Sequence, residues 1–435
     1  MRDFLPEDVR RRAHVIGVIA RVYERYGFEP LETPAVENLE TLLGKYGEEG
    51  NQLIFKILKR GEHEASGQAD LALRYDLTVP LARVIAHHHA KLPRLFKRYQ
   101  IQPVWRADRP ARGRFREFYQ CDVDALGSTS PVIEAELCAA VADALRDLGF
   151  QDFVIRINHR QLLTSLLNHC EIPEALHGTA LVAVDKLDKI GVDGVKAEMA
   201  SRGIAGEAGT KLLALFDLLR DSSKGSRSVL FDEQGLAAFE NLGAILELTH
   251  GTSAERHMRF DPSLARGLSY YTGAIMEIAV ADLAGSLGGG GRYDNLVGMF
   301  SGQSIPACGF SLGLERILVV MGERNMFPPV LARSAADAMV SVFDAKDLPH
   351  ALSFAAKLRA AGLRVLVYPD ADKIGKQIKY ADSLAVPFVA LLGSNEVAAG
   401  TVTVKDLKAQ TQETYDQAAA GAYIRQALEA FNDRG

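Results

Sequence analysis

Five arginines fall within eleven residues, Arg106, Arg109, Arg112, Arg114 and Arg116, inside the stretch 105–120. A guanidinium is a planar fork of donors that never loses its charge, so such a cluster suits bidentate binding of phosphate or carboxylate. Residues 98–106 and 117–125 read as two strands around a polar turn that contains Gly113. On such a hairpin Arg106, Arg116 and Gln120 would be anchored by the sheet, with Arg109, Arg112 and Arg114 in the turn. The plain alternative is a solvated basic hairpin, the usual fate of a charge run. Two further groups stand out. Tyr270 and Tyr271 would by themselves be core or rim aromatics, and the glycines 288–291 would be a tight turn. Three others carry less. His87, His88 and His89 are adjacent, so on a helix they point to different faces and make a poor metal site. Cys121 has no His-Asn set beside it and reads as a buried strand residue. Lys373, Lys376 and Lys379 read as a solvated helix face.

The elements that must position these groups follow from pattern. Residues 6–27 have Pro6 in the first turn, apolar residues at helical spacing and Gly27 as a left-handed stop, which predicts a helix. An extended piece, 28–34, follows. Residues 71–79 read as a strand and 131–148 as a helix. From about 158 to 248 the text is short helices with glycine turns. Strand text returns at 270–280 and at 308–312, with a helix from Gly313. Residues 322–336 contain Phe-Pro-Pro and little periodicity, which marks a linker. Beyond it strand and helix alternate: strands at 338–343, 364–368, 387–392 and 401–407, helices at 347–361, 373–385 and 416–431. That alternation implies a small parallel or mixed α/β domain.

The chain has 435 residues, with 50 Lys and Arg against 55 Asp and Glu, a net charge of −5. Apolar residues at 48% and charged residues at 24% exclude collagen, coiled-coil rod and disorder. At roughly 150 residues per domain the length predicts two to four domains. The four cysteines, at 121, 138, 170 and 308, never share a CxxC spacing, so a zinc ribbon or disulfide framework is not expected and a reducing cytoplasm is. No apolar run reaches the ~20 residues of a membrane helix, so no membrane partner is expected. Met-Arg-Asp-Phe-Leu-Pro does not read as a secretory signal. An acidic total leaves room for nucleic acid only on a locally basic surface.

The arginine hairpin resembles motif 2 of class II aminoacyl-tRNA synthetases, and the histidyl-tRNA synthetase family in particular. Residues 28–34 after a long helix are similar to the dimer-interface motif 1. Leu73-Arg74-Tyr75-Asp76-Leu77-Thr78-Val79-Pro80 resembles the amino-acid-binding strand. Leu264-Ala265-Arg266-Gly267-Leu268-Ser269-Tyr270-Tyr271-Thr272-Gly273 and Gly290-Gly291-Arg292-Tyr293-Asp294 are similar to two signatures of the histidine branch. Gly309-Phe310-Ser311-Leu312-Gly313-Leu314-Glu315-Arg316 resembles motif 3, and residues 373–382 resemble a helix of the anticodon-binding domain. The matches run in family order over nearly the whole chain. Position 269 is Ser where the signature usually has Asp.

This resemblance implies an α+β catalytic domain, an antiparallel sheet with flanking helices, over 1–157 and 249–325. It implies an all-helical insertion over 158–248 and an α/β anticodon-binding domain over 326–435. It implies ATP with Mg2+ as cofactor, L-histidine and histidine tRNA (acceptor end and anticodon) as partners, a homodimer and a cytoplasmic location, with no metal held by a side-chain cluster. By the same resemblance Arg106 bridges the histidine carboxylate and the α-phosphate, and Arg266 is the second catalytic group, at the α-phosphate. Arg114 and Arg316 hold the outer phosphates, Phe118 stacks on adenine, and Asp108 is the carboxylate near it. Asp76, Thr78 and Gln120 contact the α-ammonium group. Asp124 and Tyr271 read the imidazole, and Tyr270 and Tyr293 line the same pocket. The glycines 288–291 become backbone that a ligand approaches closely. The alternative is a non-charging histidine-sensing relative, the regulatory subunit of ATP phosphoribosyltransferase, which usually lacks the C-terminal domain and part of the arginine set.

Overall fold

The computed structural model describes residues 1–61, 66–220, 231–265, 270–332 and 336–432. The chain divides into two compact units, Met1–Met326 and Phe327–Gly435.

The first unit is built on an eight-stranded sheet. The helix Pro6–Arg25 opens it, with Pro6 in the first turn and Val15, Val18, Ile19, Val22 and Tyr23 buried on one face. Gly27, at φ +75°, turns the chain into the edge strand Glu29–Pro30, which pairs parallel with Phe96–Trp105. From there the order is Phe96–Trp105, Glu117–Leu126, Ala307–Gly313, Ser286–Arg292, Ala274–Val280 and Phe153–His159, all antiparallel, with Met258–Phe260 parallel at the far edge. The helix Val132–Asp147 buries Leu137, Cys138, Val141 and Leu145 and packs on Pro6–Arg25 and on the strand Ala307–Gly313. The expected antiparallel sheet with flanking helices is present.

Three departures from pattern have physical causes. The strand expected over 71–79 ends at Leu73, and a helix, Thr78–His88, begins where it was to continue. The Asp76 carboxylate accepts from the Val79 amide at 3.1 Å, and Pro80 sits in the first turn, where no helix bond needs its missing N–H. Ala69–Leu73 joins a small sheet with Val36–Asn38 and Lys56–Leu58, strands of three residues, too short to show alternation. The glycines 288–291 are not a tight turn: they form the middle of the strand Ser286–Arg292.

Among the described residues, five helices lie between Arg160 and Leu248, beginning directly after the strand Phe153–His159. Arg160–His169 and Glu233–Leu248 pack on one another, and the latter packs on Val132–Asp147 and on Phe153–His159.

The second unit is a five-stranded mixed sheet in the order Val365–Val367, Ala338–Val342, Phe388–Leu392, Thr401–Asp406, Thr411–Asp416. The first three strands are parallel, as βαβ connections require, and the last two antiparallel. Leu348–Ala360 and Gln417–Asn432 pack over a core that includes Val340, Phe354, Phe388 and Ile424. The strand Thr411–Asp416 and the short helix Ser394–Ala399 were not expected from pattern. The strand is an exposed edge with no apolar face to alternate.

Candidate active site

A cleft of about 480 Å³ opens over the central strands of the large sheet. The register explains why it is hollow. Residues directly opposite in neighbouring strands share a face. One row across the sheet is Gln100, Asp122, Ser311, Gly289 and Glu277; the next is Arg98, Asp124, Gly309, Gly291 and Ile275. Glycine at 289 and 313 leaves cleft space that side chains would fill, and at 291 and 309 it lets Tyr271 and Asp124 pack against the sheet. A Cβ on Gly309 would lie 1.9 Å from Asp124 Oδ1, and one on Gly291 2.9 Å from the Tyr271 ring.

Acceptors dominate the floor. Asp76 is 1% exposed. Its Oδ1 accepts from the Tyr46 hydroxyl at 2.9 Å as well as from Val79, and its Oδ2 from the Tyr270 hydroxyl at 3.3 Å. Gln120 Nε2 donates to the Ser311 hydroxyl at 2.9 Å. On the same strand face, Asp122 and Asp124 are both buried. A fully buried Arg98 lies with its NH2 2.9 Å from Asp124 Oδ2, and the Tyr293 hydroxyl donates to Asp124 Oδ1. Three buried acceptors, Gln120 Oε1, Asp122 Oδ1 and Asp124 Oδ2, have no hydrogen-bond donor among the described residues. Burial pushes all three carboxyl groups upward, Asp122 to about 7, while Arg98 pulls Asp122 and Asp124 back down.

The other lining is cationic. Arg106 donates from Nε to the Tyr75 carbonyl at 3.1 Å and lies over the Tyr75 and Phe118 rings, 4.3 and 5.2 Å from their centroids. Arg316 donates to the Ser286 carbonyl. Arg114 is exposed, 4.0 Å from Asp108. Gly113 carries the hairpin past Arg316 at φ +68°, where a Cβ would meet Arg316 Cγ at 3.0 Å. The remaining hairpin arginines do other work. Arg112 is tied to Glu323 and to the Asp282 carbonyl, and Arg116 to the Asp108 carbonyl. Arg109 does not line the cleft.

A sequence model described as histidyl-tRNA synthetase matches residues 1–317, and one described as anticodon binding domain matches 337–427. Histidine--tRNA ligase of Gloeobacter violaceus is 40% identical over 97% of both chains. The Cytophaga hutchinsonii protein of the same name is 40% identical over 96% of both. The chain belongs to the histidyl-tRNA synthetase family. A crystal structure of histidyl-tRNA synthetase from Nostoc sp. superposes with a TM-score of 0.77 at 32% identity, covering 98% of this chain and 97% of that one. The apo S. aureus histidyl-tRNA synthetase, 21% identical with a TM-score of 0.65 over 98% of both chains, shares the fold.

Of the residues to which the histidyl-tRNA synthetase resemblance assigns a role, Asp76, Thr78, Gln120, Tyr270 and Tyr271 line the cleft, as do Arg106, Asp108, Arg114, Phe118 and Arg316. Asp124 and Tyr293 do not. They lie outside its lining, and Tyr293, 1% exposed, packs edge-on against Tyr270. Arg266 and Ser269 lie outside the described residues. Arg292 of the second signature is structural: it grips Glu134 of the helix Val132–Asp147 with two bonds, 2.6 and 2.9 Å.

Sequence reasoning missed Arg98, Asp122, Ser311, Glu315 and Tyr46. The spacing Gln120, Asp122, Asp124 placed three polar groups on one strand face, and that was a readable signal. Arg98 and Tyr46 reach the site from other elements and gave none. His87, His88 and His89 are exposed, Cys121 is buried, and Lys376 pairs with Asp372 at 2.6 Å. Among the described residues no group of three or more His, Cys, Asp or Glu could hold a metal ion.

Proposed function

We propose that this chain joins L-histidine to histidine tRNA in two steps. The histidine carboxylate oxygen attacks the α-phosphorus of ATP, the bond to the β-phosphate bridge breaks, and pyrophosphate leaves. A ribose hydroxyl of the terminal adenosine of the tRNA then attacks the adenylate carbonyl carbon and AMP leaves. A carboxylate is already a nucleophile at neutral pH, so the first step needs positioning and positive charge rather than a base.

The residues suit these demands. Arg106 is held at a fixed height by Tyr75 and Phe118 and bridges carboxylate and α-phosphate, while Arg114 and Arg316 take the outer phosphates. Phe118 offers a face to adenine, with Asp108 beside it. Arg266 is assigned by resemblance as the second guanidinium at the α-phosphate, stabilising charge that shifts onto the phosphoryl oxygens. Asp76, Thr78 and Gln120 take the α-ammonium. Tyr271 and Asp124 read the imidazole, with Tyr270 and Tyr293 packed around it. Asp124 lies outside the cleft lining and its Oδ2 is ion-paired with Arg98 at 2.9 Å, but a carboxylate oxygen carries two lone pairs, so a ring N–H can still bind there. Mg2+ would enter with ATP and offset the charge of its phosphates, and cleft carboxylates such as Asp108 and Glu277 would be the protein groups available to hold it. Residues 326–435 bind the anticodon, the protein works as a homodimer, and its place is the cytoplasm.

The observation that carries this reading is the pairing of three cleft arginines, Arg106, Arg114 and Arg316, with a floor of buried acceptors around Asp76 and Gln120. Histidine-dependent exchange of pyrophosphate into ATP, followed by charging of histidine tRNA, tests it. Both activities are expected with histidine and with no other amino acid. Histidine binding without exchange would make the chain a sensor instead.

A further inference from the structure

Gln120 presents a problem of orientation. Its amide has one accepting and one donating end of nearly the same shape, so only the hydrogen-bond network decides which end meets a ligand. Its Nε2 is spent on the Ser311 hydroxyl at 2.9 Å, and its Oε1 is buried with no donor among the described residues. A hydroxyl has one proton. If Ser311 accepts from Gln120, that proton must go elsewhere. Directly across the ladder from Ser311, on the same face, stands the buried Asp122, whose carboxylate is placed to accept that proton.

We propose that Asp122 is a positioning residue for the amino-acid substrate: through Ser311 it fixes the Gln120 amide with its carbonyl oxygen offered to a substrate ammonium group. In its ionised form, which the charge of Arg98 favours, Asp122 only accepts, so Ser311 donates to it and Gln120 donates to Ser311. Its Oδ1 has no donor among the described residues, and Arg98, ion-paired with the neighbouring Asp124, is the buried cation on the same strand face. Without Asp122 the Ser311 proton turns to Gln120, the amide reverses, and an N–H meets the ammonium. The inference rests on the histidine-activating reading above and adds the residue that sets the polarity of its ammonium contact.

The test uses the full chain in the pyrophosphate-exchange assay with two competitive inhibitors. L-Histidinol keeps the ammonium and imidazole but has no carboxylate. 3-(Imidazol-4-yl)propionate keeps the carboxylate and imidazole but has no ammonium. Asp122→Asn and Ser311→Ala are expected to weaken histidinol, and to raise the KM for histidine, by about 10- to 100-fold, the range for one hydrogen bond to a charged group. The Ki of the des-amino analogue and the KM for ATP should stay within about threefold of wild type, since neither involves an ammonium contact. Ser311→Thr keeps the hydroxyl and should restore histidinol binding. Equal weakening of both inhibitors, or of neither, overturns the relay. If Asp122→Asn does not fold because Arg98 loses a charge partner, Ser311→Ala alone decides. A wild-type protein with no histidine-dependent exchange would instead sink the underlying reading, so the two failures are distinguishable.

Discussion

Glu315 is a carboxyl group that the fold keeps from water. Its Oε2 accepts the Tyr119 amide at 2.9 Å, and its Oε1 has no donor among the described residues. Burial pushes its pKa from an ordinary 4.5 to about 7. A group whose folded pKa lies above its unfolded value holds a proton in the native state that the unfolded chain releases. Its favourable contribution is complete below the unfolded value and disappears as pH rises through about 7. Glu315→Gln keeps the acceptor for Tyr119 but has no proton to lose. Relative to wild type the variant should therefore gain stability between pH 5.5 and pH 8, on the order of 2–3 kcal/mol at the upper end. Melting temperatures of both proteins across that range measure it. Any fixed cost of the amide cancels in the comparison, so parallel curves would mean Glu315 is ionised throughout.

At the scale of elements, the glycine strand Ser286–Arg292 has two faces with different duties. A Cβ on Gly290 would lie 2.2 Å from the Gly309 carbonyl oxygen and 2.8 Å from Phe310 Cα, both backbone atoms that cannot step aside. A Cβ on Gly289 meets only the Met276 carbonyl, at 3.3 Å, on the face shared with Ser311 and the cleft. Gly290→Ala should cost about 1–3 kcal/mol or more of stability, as overpacking does. Gly289→Ala should melt close to wild type yet bind its substrates poorly, because the methyl group enters the cleft. Thermal melts beside exchange kinetics separate the two, and matching profiles would refute the division. The same strand shows where sequence stopped being legible. The hairpin around the arginines and the α/β alternation after residue 336 announce themselves, because long strands and helices carry a hydrophobic period. A run of glycines carries none, so its place in the sheet comes only from its neighbours. The three-residue strands Val36–Asn38 and Lys56–Leu58 are silent for the same reason, and the exposed strand Thr411–Asp416 has no apolar face. In the site, the arginines of the hairpin and Asp76 were readable as motifs. The register that sets Asp122 opposite Ser311 was not, since it pairs the hairpin with a strand from far later in the sequence.

At the scale of the whole molecule, the proposed function divides the work between the two units. Every cleft residue named here precedes Met326, and Phe327–Gly435 has its own buried core around Phe354 and Phe388. A unit with its own core can fold alone, and an exposed junction between units is where a chain tolerates a cut. The second unit matches an anticodon-binding domain over residues 337–427. Its loss should therefore remove tRNA recognition and leave amino-acid activation. Cutting the chain after Met326 should leave histidine-dependent pyrophosphate exchange within a few-fold of the full protein. Charging should fall by on the order of 100-fold in kcat/KM for tRNA, equivalent to ~2.7 kcal/mol of transition-state binding. Circular dichroism and sedimentation establish that the shortened protein is folded and in the same oligomeric state before either rate is compared. Full-rate charging by that protein would show that the acceptor end alone supplies recognition. Loss of both activities from a folded, correctly assembled protein would show that the second unit takes part in activation itself.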